Sequence, residues 1–175
     1  MSDYHFSLIL SGEIEGKLDG LFEVGCDDAT FGSVDGTAYA EFDREGASLA
    51  LAIGSAIHDV ESVSGIRVVR VEPDPLVTAS DIAERLGRSR ESVRLLISGE
   101  RGAGNFPSPI SHLRTRNRLW RWSDVAAWAG LADVDALQDA QLIAAVNAAL
   151  DLRSTAPLLP NDGRKLVTSL GRRVA

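Results

Sequence analysis

Residues 78–98 read TASDIAERLGRSRESVRLLIS, a stretch in which apolar positions recur at helical spacing on both sides of a glycine. Thr78 and Asp81 form the Ser/Thr-x-x-acid pattern that satisfies the free amides at a helix start, so a first helix is predicted over 79–86. Its inner face is Ile82, Ala83 and Leu86, and the small Ala83 lets a second helix approach closely. Gly87 supplies the turn, where a left-handed residue commonly ends a helix. Ser89 is placed to cap a second helix with Val93, Leu96 and Ile97 facing inward. Arg90, Glu91, Arg94 and Ser98 are therefore expected to face outward.

Immediately downstream, residues 106–122 read FPSPISHLRTRNRLWRW. Strands are predicted over 110–113 and 118–122, with Arg114, Thr115, Arg116 and Asn117 at the turn and Arg118 beside it. Three arginines within five positions repel one another, and phosphates or a minor groove would relieve that repulsion. Trp120 and Trp122 lie two apart on one face and are expected to pack on the helices. Ser123 is expected to cap a closing helix through Val125 and Trp128. Gly99, Gly102 and Gly104 follow a helix and lack a Gly-Lys-Ser/Thr ending, so they read as a loop and not as a phosphate cradle. Ser111, His112 and Asp124 are triad residue types without a nucleophile-elbow context, and no hydrolase is expected.

The charge distribution singles out the same region. The whole chain of 175 residues carries a formal net charge of −7. Residues 1–73 hold four basic and fourteen acidic residues, whereas 74–175 hold fourteen basic and eleven acidic. Within 85–121, nine arginines face only Glu91 and Glu100. Such asymmetry predicts two modules with different partners. No basic-then-apolar leader and no long apolar run is present, so a cytoplasmic protein away from the membrane is expected. The single Cys26 leaves no internal disulfide and reads as a small core or loop-edge residue.

In the acidic half, Tyr4, Phe6, Leu8 and Leu10 alternate with polar positions, the period of a half-buried strand. Ile14, Leu18, Leu21 and Phe22 predict a helix over 13–24, stopped by Gly25. Residues 29–34 and 37–42 read as strands joined by Asp35-Gly36, a tight hairpin turn. Ser48 caps a helix with the stripe Leu49, Ile53, Ala56, Ile57 and Val60, and IRVVRV at 66–71 supplies a last strand. The order β-α-β-β-α-β is that of a ferredoxin-like unit, used by small-molecule-sensing and dimerisation modules alike. Glu23, Asp27 and Asp28 lack the spacing of a calcium loop and read as a solvated loop. His5 and His58 lack partners at ligand spacing, so no metal is expected.

Residues 76–128 resemble the winged helix-turn-helix family of MerR-type regulators and phage or plasmid excisionases. The resemblance rests on Ala83 in the first helix, Gly87 at the turn, Val93 midway along the second helix, and the FPSPI segment with its basic turn and RLWRWSDVAAW. Arg88 departs from it, since the family carries an aliphatic residue after the turn glycine. The expected architecture is α+β: a ferredoxin-like domain at 1–73, a winged helix-turn-helix domain at 76–130, and a C-terminal helix with a mobile basic tail at 131–175. The stripe Leu142, Ile143, Val146, Ala149 and Leu150 gives that helix one apolar face, to be buried against the first domain or a second copy.

The expected function is sequence-specific recognition of double-stranded DNA by a prokaryotic transcriptional regulator, as a homodimer, without catalysis or cofactor. Ser89, Arg90, Glu91 and Arg94 would meet the major groove, the arginines matching guanine edges, while Arg114, Thr115, Arg116, Asn117 and Arg118 would hold the backbone or minor groove. A small-molecule effector or protein partner is expected at the acidic domain. The alternative is an antitoxin- or excisionase-like adaptor whose acidic domain binds a partner protein.

Overall fold

The computed structural model describes residues 1–73, 76–102, 104–115, 117–131 and 134–171. They form an α+β protein of two compact units, one comprising Met1–Val71 with Ala145–Ala175 and the other Glu72–Ala144. Among the described residues no helix is long and apolar enough to cross a membrane.

The first unit is built on strands β1 (Ser2–Ser11), β2 (Ala29–Val34), β3 (Thr37–Gly46) and β4 (Arg67–Glu72), with helices α1 (Leu18–Glu23) and α2 (Leu49–Ser62) between them. The sheet order is β2-β3-β1-β4, and β3 runs antiparallel to both β1 and β2. Asp35 and Gly36 both take positive φ, 49° and 79°, which is what a two-residue hairpin of matching twist requires. Phe6, Leu8 and Leu10 of β1 and Ala38, Ala40 and Phe42 of β3 are buried, and α2 contributes Leu49, Ala52, Ile53, Ala56 and Val60 to the core. The Ser48 hydroxyl accepts from the Leu51 amide, as the sequence predicts.

α1 is shorter than predicted. Gly16 has φ 76°, so the chain turns before Leu18 and only six residues are helical. Ile14 and Leu21 are buried, but Leu18 and Phe22 remain about half exposed. Gly12 cannot be replaced: its φ is 99°, and a Cβ there would lie 2.1 Å from the Gly65 carbonyl oxygen.

Arg44 was not anticipated as a core residue. Continuing the inward alternation of Ala40 and Phe42, its side chain is 8% exposed and all five of its N–H donors are engaged. Nε donates to Asp28 Oδ2 at 2.7 Å and Nη2 to Asp28 Oδ1 at 2.9 Å and Gly25 O at 2.6 Å. Nη1 donates to Asp59 Oδ2 at 2.7 Å and Ser55 Oγ at 3.2 Å. The guanidinium also lies 4.8 Å from the Phe42 ring centre. Asp28, read from sequence as part of a solvated loop, is thus a structural anion tying that loop to β3 and α2.

Cys26 is fully buried beside this network, and burial pushes its thiol up to about 11. At pH 8 only about a thousandth of it is thiolate, the reactive form. A thiol-specific disulfide reagent is therefore expected to label Cys26 at least a hundredfold faster, to an order of magnitude, in denaturant than in the folded chain. Equal rates in the two conditions would contradict its burial.

β4 is an edge strand, and its peptide groups are met by side chains. The Val71 amide donates to Asn147 Oδ1 at 2.8 Å and Asn147 Nδ2 returns a bond of 2.9 Å to Val71 O. Asn147 belongs to α6 (Val134–Thr155) and is 3% exposed. The Val68 amide donates to Glu61, and the Val68 carbonyl accepts from Arg153, which also grips Glu61 at 2.6 Å. Among the described side chains of α6, Ile143, Asn147 and Leu150 are buried, while Ala149 of the predicted stripe is exposed. Beyond a short 3₁₀ turn (Ala156–Leu158), residues expected to form a mobile tail form a helix, α7 (Asn161–Gly171), carrying Arg164 and Lys165. The tail arginines 172 and 173 lie outside the described residues.

Candidate nucleic-acid interface

The second unit contains α3 (Ala79–Arg85), α4 (Arg90–Ile97) and α5 (Trp122–Ala129), with β5 (Leu76–Val77) paired to β6 (Trp120–Arg121). Its core is Val77, Ile82, Ala83, Val93, Trp120 and Val125, flanked by Leu86, Ile97, Phe106 and Trp122. Of the predicted inward residues, Ile82, Ala83, Leu86, Val93 and Ile97 pack here, and Leu96 is buried too.

α3 starts with a complete capping box. The Thr78 amide and hydroxyl donate to Asp81 Oδ2 at 2.7 and 2.8 Å, and the Asp81 amide donates to Thr78 Oγ1 at 3.3 Å. These bonds from Thr78 hold the Asp81 carboxyl below its ordinary range. A depressed folded-state value means that the contribution is present above the unfolded value, near pH 4, and is lost as pH falls through the folded value. Asp81→Asn is expected to cost about 1 kcal/mol at neutral pH. Thermal unfolding of both proteins from pH 7 to 3 checks this, since their difference must shrink below about pH 4.

Gly87, at φ 60°, ends α3. Its amide donates to Glu84 O and that of Arg88 to Ala83 O, the paired bonds of a Schellman turn. Arg88 contributes its amide to this turn and its residue surface is exposed. An arginine in place of an aliphatic residue therefore fits at this position without entering the core.

Ser89 sits at the start of α4 and its hydroxyl accepts from the Ser92 amide at 3.1 Å, which makes it a cap first. Arg90 is exposed and has no ion-pair partner among the described residues. Arg94 is exposed too, but it is held: Nε lies 3.0 Å from both Glu91 oxygens, Nη2 is 2.9 Å from Oε1, and Nη1 is 3.4 Å from Glu100 Oε1. The hydrogen bond from Arg94 draws the Glu91 carboxyl below its usual range, and Glu91 in turn raises Arg94. Glu91 thus acts as a clip on Arg94. Glu100 is fixed by the Ser98 hydroxyl at 2.8 Å.

The segment expected to be a two-stranded hairpin differs from that expectation. Ser111 and Leu119 form one isolated bridge, with Ile110 N donating to Leu119 O at 2.8 Å and Leu119 N to Ser111 O at 3.2 Å. Trp120 and Arg121 pair instead with Val77 and Leu76, and Trp122 opens α5. The cap position of α5 is Arg121, not Ser123, and no side chain caps it. The physical reason is the indole of Trp120: at 1% exposure it belongs to the core beside Val77, which pulls its strand away from the 110–113 segment.

The loop is nevertheless anchored. Trp120 Nε1 donates to Pro107 O and Trp128 Nε1 to Gly104 O, both at 3.0 Å, and Phe106 packs edge-on against both indoles. At the tip, Thr115 Oγ1 donates to His112 O and accepts from the Asn117 amide, so Thr115 shapes the turn. Arg114 and Asn117 are exposed, Arg118 lies 5.7 Å from the Trp120 ring centre, and Arg116 lies outside the described residues. Arg85 stacks on Trp122 at 5.1 Å, a cation–π contact that sequence periodicity does not signal. Exposed arginines at 88, 90, 94, 101, 114 and 121 thus stand on one small unit whose core holds α4 and the loop base together. No protein-family model matches this chain, and neither the curated proteins nor the solved structures yield a match.

Proposed function

We propose that residues 76–130, within the second unit, form a winged helix-turn-helix domain that binds double-stranded DNA sequence-specifically, and that the chain is a transcriptional regulator acting as a homodimer. The observation that carries this reading is α4, which buries Val93 and Leu96 while presenting Arg90 and Arg94 outward. α4 enters the major groove, its two arginines pairing with base edges, and the loop bearing Arg114 and Arg118 lies on the phosphates or the minor groove. Arg94 must leave Glu91 to do so. The element order and the sheet order β2-β3-β1-β4 support a ferredoxin-like reading of the first unit, as the sensing or dimerising half.

Sites selected from a random duplex library and titrated by fluorescence anisotropy test this. Arg90→Ala and Arg94→Ala are each expected to weaken binding roughly tenfold to a hundredfold and to relax the preference at one base position. Arg114→Ala should instead weaken all sequences alike and lower the salt slope by about one. If no sequence is enriched, or both α4 variants bind unchanged, the reading fails.

A second reading, a protein-interaction adaptor, is favoured by one feature. The β1–β3 register sets Asp3 opposite Glu45, His5 opposite Asp43 and Ser7 opposite Glu41, a row of exposed carboxylates suited to a basic partner. Recovery of a stoichiometric protein partner, with no DNA retained at moderate salt, would select it.

A further inference from the structure

Within the first unit a cleft of about 710 Å³ opens beside α2, β4 and the C-terminal half of α6. Its charged lining is Arg67, Arg153 and Glu61, with the imidazole of His58 beside them, and its apolar lining includes Val69 and Leu150. Arg153 and Glu61 neutralise one another in a two-pronged pair, 2.9 Å from Nη1 to Oε2 and 2.6 Å from Nη2 to Oε1. Arg67 has no such partner: among the described residues its guanidinium meets only its neighbour's carbonyl, Ile66 O, at 3.5 Å. An unmatched cation therefore lines a cavity in a domain whose residues 1–73 carry fourteen acids against four bases. Exposed acidic surface repels anions, so an accessible arginine lining a cleft in it is a local exception to which an anion is drawn. Ser11 and Ser154 also line the cleft, their hydroxyls donating to the backbone carbonyls of Arg67 and Asp151.

We propose that this cleft binds a small organic oxyanion, its acidic head on Arg67 and its apolar body against Val69 and Leu150. This deepens the reading of the first unit as a sensing domain, and its test contains no DNA, so it stands or falls apart from the recognition role of α4. The head group is a carboxylate or a phosphate, which share the bidentate geometry that a guanidinium matches.

The experiment is thermal unfolding of the full chain at constant ionic strength, with chloride as reference, inorganic phosphate in one arm and butyrate in the other. A ligand at about ten times its Kd raises the transition by a few degrees. At least one probe is expected to do so; a response to phosphate alone assigns a phosphate head, and a response to butyrate a carboxylate. Arg67→Gln should abolish the rise. Ser154→Trp, which fills the cleft and leaves Arg67 in place, should abolish it too, while Arg101→Gln in the second unit should retain it. No rise with either probe, or a rise that survives both cleft variants, overturns the proposal.

Discussion

Trp120→Ala is expected to destabilise the second unit by about 3–5 kcal/mol, the range for truncating a large aromatic in a core. Trp120 is 1% exposed, packs with Val77, Ile82, Val93 and Val125, and anchors the loop through its bond to Pro107 O. Removing it opens a cavity between α3, α4 and β5 and orphans that carbonyl. A unit of this size has only about 4–10 kcal/mol in hand, so a large unfolded fraction at 37 °C is expected. Trp120→Phe keeps most of the volume and should cost less, about 1–2 kcal/mol. Urea unfolding followed by far-UV circular dichroism measures both. A loss below about 1 kcal/mol for the alanine variant would mean that the indole is not a core element.

Arg44→Met is expected to destabilise the first unit by about 3 kcal/mol, because it leaves Asp28 and Asp59 facing each other without their cation. The carboxylates keep 28% and 22% of their side-chain surface exposed, so the loss falls at the low end for breaking a buried pair. For a unit of about 100 residues this corresponds to a fall of about 12–24 °C in Tm. Adding Asp28→Asn and Asp59→Asn should return part of it, since neutral amides need no counter-ion. If Arg44→Met alone melts within about 3 °C of the parent, the network is ornamental.

The periodic parts of both units were legible because burial imposes a period on the chain. Alternation at Phe6, Leu8 and Leu10 and the 3.6-residue stripe of α2 follow from one face meeting a core, and Thr78, Gly87 and Ser89 announce helix ends through local chemistry. What was not legible depends on contacts distant in sequence. Arg44 reads as a surface residue because Asp28 and Asp59, its partners, lie sixteen positions before and fifteen after it. A signal was present, however, since the inward parity of Ala40 and Phe42 extends to position 44. Asn147 likewise interrupts an apolar stripe, and a polar residue there points to an unpaired backbone that needs it. The pairing of Trp120 with Val77 has no periodic signature, because two-residue strands are too short to carry one. In the candidate interface the outward arginines follow from helix geometry, whereas the Glu91 clip on Arg94 depends on rotamers that spacing alone does not choose.

The Asn147 amide has a consequence for how copies of this chain are able to meet. By occupying both peptide groups of Val71 it stands where a further strand would add, and Glu61 with Arg153 does the same at Val68. Among the described residues the sheet is left with a single open border, at β2, which pairs only with β3. A ribbon that grows without limit needs two free borders per molecule, as a chain of links needs two hooks. With one, border-to-border joining of this sheet terminates at a two-fold pair, so the device that completes the fold also forbids a fibre built by that route.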